Sequence, residues 1–384
     1  MRTLSRMLVL AVCLVLAAAG AAAAADTIKV GAILAVTGPA AFLGAPEAKT
    51  LEMLAAETNA AGGIKGMKVE LLIKDSGGDA EKALSLAKQL VEEEKVFAVL
   101  GPSTSGESMK IKQYLEDNAT LLISCAAAEA ITTPVLKWVF KTPQNDANAV
   151  RWIFADLKKK GLTKVGVLNS NTGFGKAGRG QLEKLAPEFG IEIVIAEEYD
   201  KAAVDLDDVV TKLKAKDVQA VVNWSIEPAQ SKVPVSVRKL GWNVPVYQSH
   251  GFGNIKYAEA CGVASNGVLF PAGRLLVADV LPDANPQKAL LVKYKKDYEA
   301  FAKEAASTFG GHAYDAYTLL AKAIEVGGAD KENARTALEN LKGFIGTAGI
   351  FNFSPTDHNG LGMDAFEMLT VDANGKDCKF VLAK

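Results

Sequence analysis

The chain has 384 residues, 49% of them hydrophobic and 23% charged, enough apolar material for a sizeable core. Its 43 Lys+Arg against 44 Asp+Glu give a formal net charge of −1, which excludes the basic footprint of a nucleic-acid binder. Four cysteines in this length exclude a disulfide scaffold.

Residues 1–25 open with Arg2 and Arg6, continue with an apolar run from Met7 to Ala19, and end in small residues before Asp26. That order is the pattern of a cleaved secretory signal peptide, with an apolar core too short to span a bilayer at roughly 20 residues. Cys13 lies inside the apolar run and not at a lipoprotein cleavage site. The remainder is long enough for two domains at about 100–200 residues each. Cys125, Cys261 and Cys378 stay behind, widely spaced, so at most one bridge can form and metal-ligand spacing is absent.

From Thr27 short apolar runs alternate with helical periodicity. The pattern predicts a strand over 28–36, a helix over 46–61 stopped by Gly62-Gly63, and a strand over 69–74. Asp79 then caps a helix whose Ala83, Leu86, Ala87, Leu90 and Val91 form one apolar stripe. Further strands are predicted over 96–100, 121–124, 165–169, 191–196, 220–225, 245–248 and 267–270. Short apolar strands each followed by a helix imply βαβ units, hence doubly wound α/β architecture with parallel sheets covered on both faces. Breaks fall at Thr142–Asp146 and Pro271–Gly273. Helices over 287–306, 312–326 and 331–341 lack strands of their own, so the chain is expected to return to the first lobe after about Pro271. Ala373-Asn374-Gly375 predicts a hairpin between 367–371 and 378–382.

One motif argues for a dinucleotide enzyme. Gly173-Phe174-Gly175-Lys176-Ala177-Gly178 matches GxGxxG, follows a strand and precedes an acidic residue, Glu198. Ser170-Asn171-Thr172 lengthens the turn ahead of it, however, where the fingerprint needs its first glycine at the strand end. A glycine-eased loop over a cleft is the simpler reading. The chain has no GxxxxGK[ST], GxSxG or HExxH motif, and His250, His312 and His358 are far apart, so no catalytic set, metal site or cofactor is predicted.

Two strand ends instead suggest binding. After 96–100 comes Gly101-Pro102-Ser103-Thr104-Ser105-Gly106 at a helix start, and after 121–124 comes Cys125-Ala126-Ala127-Ala128-Glu129. Hydroxyls and free backbone N–H groups at a helix N-terminus make a carboxylate site, although Ser and Thr also serve there as plain caps.

These residues join others in a wider likeness: Thr37-Gly38-Pro39 with Gly44, 59–66 (Asn-Ala-Ala-Gly-Gly-Ile-Lys-Gly), Gly101-Pro102 with Ser105, Ser124, Phe174-Gly175, and Gly241. As a set they resemble the leucine/isoleucine/valine-binding family of periplasmic receptors for ABC transporters, over all residues beyond the leader. The resemblance implies a type I periplasmic-binding fold. Its lobes would be residues 26–145 with 274–353, and 146–273 with 354–384, joined by three crossovers and closing by hinge motion. It implies a periplasmic monomer that binds a small amino acid of the branched-chain type or a related carboxylate, hands it to ABC permease subunits and performs no catalysis, the alternative being a ligand sensor that works through a separate membrane partner.

Residue by residue, the resemblance implies that Ser105 and the backbone at Ala126 hold the ligand's carboxylate or amine, with Ala127 beside them. Ala128 replaces a threonine that commonly assists. Phe174 stands where an aromatic covers the ligand, Ile226 falls at another usual aromatic position, and Phe42 and Leu43 line the apolar end. His250, next to Gly251, occupies a position where amino-acid binders often carry an acid. An α-ammonium buried without an anion costs several kcal/mol. Either Glu227 turns inward to supply that anion, or the ligand is an aromatic or aliphatic carboxylate without an amine, and His250 donates to a second oxygen.

Overall fold

The computed structural model describes residues 27–375 and 377–384. The expected signal peptide lies outside the described residues. The first half builds β1 (Thr27–Leu34), α1 (Ala41–Ala60), β2 (Lys68–Asp75), α2 (Ala80–Lys88), β3 (Ala98–Leu100), α3 (Ser105–Asp117), β4 (Leu121–Ser124) and β5 (Val139–Lys141). These five strands form one parallel sheet in the order β2-β1-β3-β4-β5. The central strands β3 and β4 are buried at every position, as a sheet covered on both faces requires, whereas edge strand β2 is half-exposed.

The chain then crosses over and builds α4 (Asp146–Lys159), β6 (Lys164–Ser170), α5 (Gly173–Phe189), β7 (Glu192–Tyr199), α6 (Asp207–Lys214), β8 (Ala220–Trp224), α7 (Lys232–Lys239), β9 (Val246–Gln248), α8 (Ile255–Cys261) and β10 (Leu269–Ala272). A second crossing leads to α9 (Lys288–Ala302), α10 (Thr308–Gly327), α11 (Lys331–Glu339) and the two-stranded ribbon of β11 (Phe344–Ile345) and β12 (Ile350–Phe351). Helix α10 packs on α1, β3 and β4, which returns this segment to the first lobe. A third crossing delivers β13 (Glu367–Asn374) and β14 (Asp377–Leu382) to the second sheet, ordered β14-β13-β10-β9-β8-β6-β7. The result is two α/β lobes joined by three crossings. The second sheet is not wholly parallel, because the expected hairpin adds β13 and β14 antiparallel to one edge.

Local chemistry explains most element boundaries. Asp79 caps α2 by accepting from the Lys82 N–H at 2.8 Å, as its position predicts. Helix α1 begins five residues earlier than expected, at Ala41, and carries Pro46 inside it. Proline has no N–H for the carbonyl four residues back. That carbonyl, of Phe42, accepts instead from Asn254 Nδ2 at 3.1 Å, a group of the opposite lobe. Helix α10 starts at Thr308 and not at His312, with Ser307 as cap. Gly310 and Gly311 lie within the helix because neighbours crowd them. A Cβ on Gly310 would meet the Tyr294 hydroxyl at 2.5 Å, and one on Gly311 would meet Thr347 Oγ1 at 2.7 Å.

The three crossings are tied together. Gln144 Nε2 donates to the Ala348 carbonyl at 2.7 Å and the Ala365 carbonyl at 3.2 Å. Gln287 Nε2 donates to the Gly346 carbonyl at 2.8 Å, and Arg274 pairs with Glu367 at 2.8 Å. Cys125, Cys261 and Cys378 are all buried free thiols, so none of the bridges left open by the sequence is formed. Among the described residues no helix is long and apolar enough to cross a membrane.

Candidate functional site

The C-terminal ends of β3, β4, β6, β8 and β9 face one another across the lobes, where ligands of open α/β sheets bind. Past β3, the Ser103 hydroxyl accepts from the Ala35 N–H at 3.0 Å and donates to Glu47. Thr104 and Glu107 form a capping box that starts α3 and places Ser105 in its first turn. Ser105 Oγ accepts from the Ala128 N–H at 3.3 Å, which leaves its own proton available. The Ala126 N–H is engaged, donating to Ser124 Oγ at 3.1 Å.

From the second lobe, Thr172 caps α5 by accepting from the Gly175 N–H at 3.3 Å, and Phe174 is buried behind it. Phe174, Trp224 and Phe366 surround the His250 ring at centroid distances of 5.5, 5.6 and 5.9 Å. The lobes touch here. A Cβ on Gly173 would sit 2.8 Å from Gly106 Cα, and Gln181 Nε2 donates to Glu129 Oε2 at 2.6 Å. The glycine motif at 173–178 therefore serves close approach: Gly173 against Gly106, and Gly178 against the Trp224 indole, which a Cβ would meet at 2.1 Å.

Between the lobes lies a small cavity in which about 20 Å³ is open to the centre of a water molecule. Ser105, Ala126, Ala127, Phe174, Ile226, His250, Gly251 and Leu43 line it, so eight of the expected residues converge. Three do not line it. Ala128 reaches the site through its N–H bond to Ser105. Phe42 packs its ring edge-on against Tyr257 of the other lobe at 5.1 Å. Glu227 borders an outer groove of about 540 Å³ instead. Its carboxylate is engaged by its own turn, accepting from Ser225 Oγ at 2.8 Å and the Ile226 N–H at 3.3 Å. The sequence reading missed Ser103, Cys125, Phe309 and His312 in the lining. Phe309 and His312 come from the first turns of α10, whose start the glycine pair obscured.

The electrostatics are one-sided. Helices α3, α5 and α10 all bring their N-termini to this cavity, and helix N-termini favour negative charge. Lys141, fully buried, donates to the carbonyls of Ala127 at 2.9 Å and Pro143 at 3.2 Å. Burial lowers its pKa to about 8, against an upward pull from Asp146, so it remains mostly an ammonium at neutral pH. Burial first, and the Lys141 charge second, push both His250 and His312 down to about 3, so both imidazoles are neutral. No protein group pairs with either ring nitrogen of His250 or with Nδ1 of His312. The Gln144 backbone exerts a small opposing pull on His250 without hydrogen-bond geometry to it. Glu47, behind Ser103, is raised to about 8 by burial and is protonated at neutral pH. Burial likewise pushes the Cys125 thiol well up. The cavity thus offers donors and positive potential, with no ionised carboxylate in its lining.

Two lobes closing on such a cavity define a solute-binding protein. The chain belongs to the periplasmic binding protein family, whose model matches residues 27–376. It is 28% identical over 319 residues, 82% of this chain and 83% of the other, to a leucine-, isoleucine-, valine-, threonine- and alanine-binding protein of Pseudomonas aeruginosa. Among solved structures, an extracellular ligand-binding receptor from Rhodopseudomonas palustris HaA2 superposes with a TM-score of 0.86 at 26% identity, covering 93% of this chain and 100% of that one. A branched-chain amino acid transporter substrate-binding protein from Streptococcus pneumoniae, solved with isoleucine, gives a TM-score of 0.80 at 25% identity, covering 93% and 100%.

Proposed function

We propose that this protein is the exported receptor of an ABC importer, and that it closes over a small organic carboxylate and passes it unchanged to membrane permease subunits. The observation that carries this reading is the inter-lobe cavity lined by the Ser105 hydroxyl and the first turns of three helices, with the Lys141 ammonium behind Ala127. Ser105 donates to the carboxylate, Ala126 and Ala127 keep the backbone approachable, and Phe174, Ile226, Gly251 and Leu43 enclose the apolar body. Residues 26–145 with 274–353, and 146–273 with 354–384, are the two moving lobes, and the protein acts as a periplasmic monomer after removal of residues 1–25. Turnover lacks a constellation: Ser105 and Cys125 make no hydrogen bond to His250, and the Cys125 thiol is not ionised.

Likeness to binders of branched-chain amino acids favours those amino acids as a second reading. Its requirement is an anion for the α-ammonium, which Glu227 can meet only by leaving Ser225 and turning inward. The test is calorimetry of the mature protein with a panel of carboxylates and amino acids. Binding without product formation is expected, and Ser105→Ala should weaken the best binder by about 1–2 kcal/mol. Unchanged affinity removes Ser105 from the site, and conversion of the bound compound refutes the receptor reading.

A further inference from the structure

On two residues that line one small cavity, three buried ring nitrogens lack any protein partner, two on His250 and one on His312. Both side chains are more than nine-tenths buried, at 7% and 6% exposure. A buried polar atom left unpaired costs about 1–3 kcal/mol, so such atoms mark where a ligand's own polar groups belong. The chemistry of those groups follows from the protonation state. A neutral imidazole presents one N–H donor and one bare nitrogen acceptor. His250 therefore asks its occupant for an acceptor and a donor, and His312 adds one more need of either kind.

Resting on the receptor reading above, we propose that His250 and His312 select carboxylates that carry a second, uncharged polar group of the hydroxyl type, and reject the corresponding α-amino acids. A hydroxyl can either accept from a ring N–H or donate to a bare ring nitrogen, so it can meet whichever need a carboxylate oxygen leaves open. An ammonium only donates, so it could satisfy a bare imidazole nitrogen but would leave the N–H facing a cation. It would also bring a positive charge toward Lys141, which lies behind Ala127 with Asp146 offsetting only part of its charge, and Glu227 is engaged at the outer groove. The aromatic wall of Phe174, Trp224 and Phe366 fixes the His250 ring by edge contacts and offers it no hydrogen-bond acceptor. His250 is thus held in place with its polar capacity unspent. Size sets a further limit, since the cavity is small and favours compact solutes.

The experiment is calorimetry of the mature protein with matched families of acids, three to eight carbons long or with one aromatic ring, each in plain, hydroxy and amino form. Wild type should bind the hydroxy member of the best family at least tenfold tighter than the plain acid, and the amino member weakest. His250→Phe and His312→Phe keep an aromatic ring but remove its nitrogens. Each should cut the preference for hydroxy over plain acid to threefold or less, read as a ratio within the same variant so that any change in overall affinity cancels. Ligand-free melting temperatures confirm that the variants fold, and His250→Gln, which keeps a donor and an acceptor, should restore part of the preference if His250→Phe unfolds. Tighter binding of an amino member overturns this inference alone, as does equal binding of plain and hydroxy acids. Failure of every carboxylate to bind overturns the receptor-for-carboxylates reading as well.

Discussion

Closure can be perturbed without touching the solute. Gly173 opens α5 in one lobe and faces Gly106 in α3 of the other. A Cβ at position 173 would lie 2.8 Å from Gly106 Cα and 2.9 Å from Gly106 N. Both are backbone atoms, so no side chain can swing aside, and the lobes themselves must part by ~1 Å to restore ordinary carbon–carbon contact. Overpacking of this kind costs about 1–3 kcal/mol. Because separated lobes do not bring the two glycines together, the penalty falls on the closed state alone. Gly173→Ala should therefore weaken the best-binding solute by ~5–150-fold while leaving the melting temperature of the ligand-free protein unchanged. Calorimetry measures the first quantity, and small-angle scattering with and without solute reports the lost compaction. Gly180→Ala on the same helix is the control. Nothing lies within 4 Å of its added Cβ, and trading a helical glycine for alanine should stabilise by about 0.5–1 kcal/mol. An affinity within twofold of wild type for Gly173→Ala would refute the claim that this contact defines the bound state.

Two further outcomes follow from buried and bridging carboxylates. Glu47 has a folded pKa raised to about 8 from an ordinary 4.5, so wild type loses stability as pH rises from 4.5 to 8 while the unfolded chain ionises and the folded one does not. Glu47→Gln should remove that loss, so that its melting temperature gains on wild type progressively across this window; a constant difference would show that Glu47 is already ionised in the fold. Glu304 joins Lys49 of α1 at 2.9 Å and Lys256 of α8 at 2.8 Å, and its pKa is held down at about 2 by hydrogen bonds from Lys256, Lys49 and Tyr298, which outweigh desolvation. Its stabilisation is present above the unfolded value of 4.5 and fades as pH falls toward 2, and at neutral pH Glu304→Gln should lower solute affinity by a few-fold at most, with a shallower salt dependence in titrations.

How much of this could be read from the sequence depends on where each part of the site lies along the chain. Ser105 and Ala126 were legible because each follows a short apolar strand whose end points at the crevice, whereas His250 was legible only through the family resemblance. His312 and Phe309 were not, because α10 contributes no strand and its opening Thr-Phe-Gly-Gly reads as a breaker. The glycines there are required by Tyr294 and Thr347, contacts that no local pattern encodes. Strand β5 was missed for a related reason: three residues ending in a lysine carry no period. That lysine is buried only because the carbonyls of Ala127 and Pro143 surround its ammonium. Glu227 shows the converse. It lies beside the cavity-lining Ile226, but the Ser225 hydroxyl two residues earlier claims the carboxylate, a local competition that side-chain type does not reveal.

The buried polar groups of the cleft also bear on why the lobes should wait for a solute. Closure without an occupant removes three imidazole nitrogens from water and pairs them with no protein group. At about 1–3 kcal/mol for each unmet group, that penalty rivals what contacts such as Gln181 with Glu129, or Asn254 with Phe42, return across the interface. When the lobes are apart, water satisfies the same nitrogens and the Phe42 carbonyl. The closed arrangement is therefore favoured in proportion to how well the solute supplies the missing partners. Binding and closure become one equilibrium, biased only by the solute's differential affinity for the two states. A ligand that fits the apolar wall but not the imidazoles would bind without driving full closure, so the same hydrogen bonds would set both affinity and lobe separation.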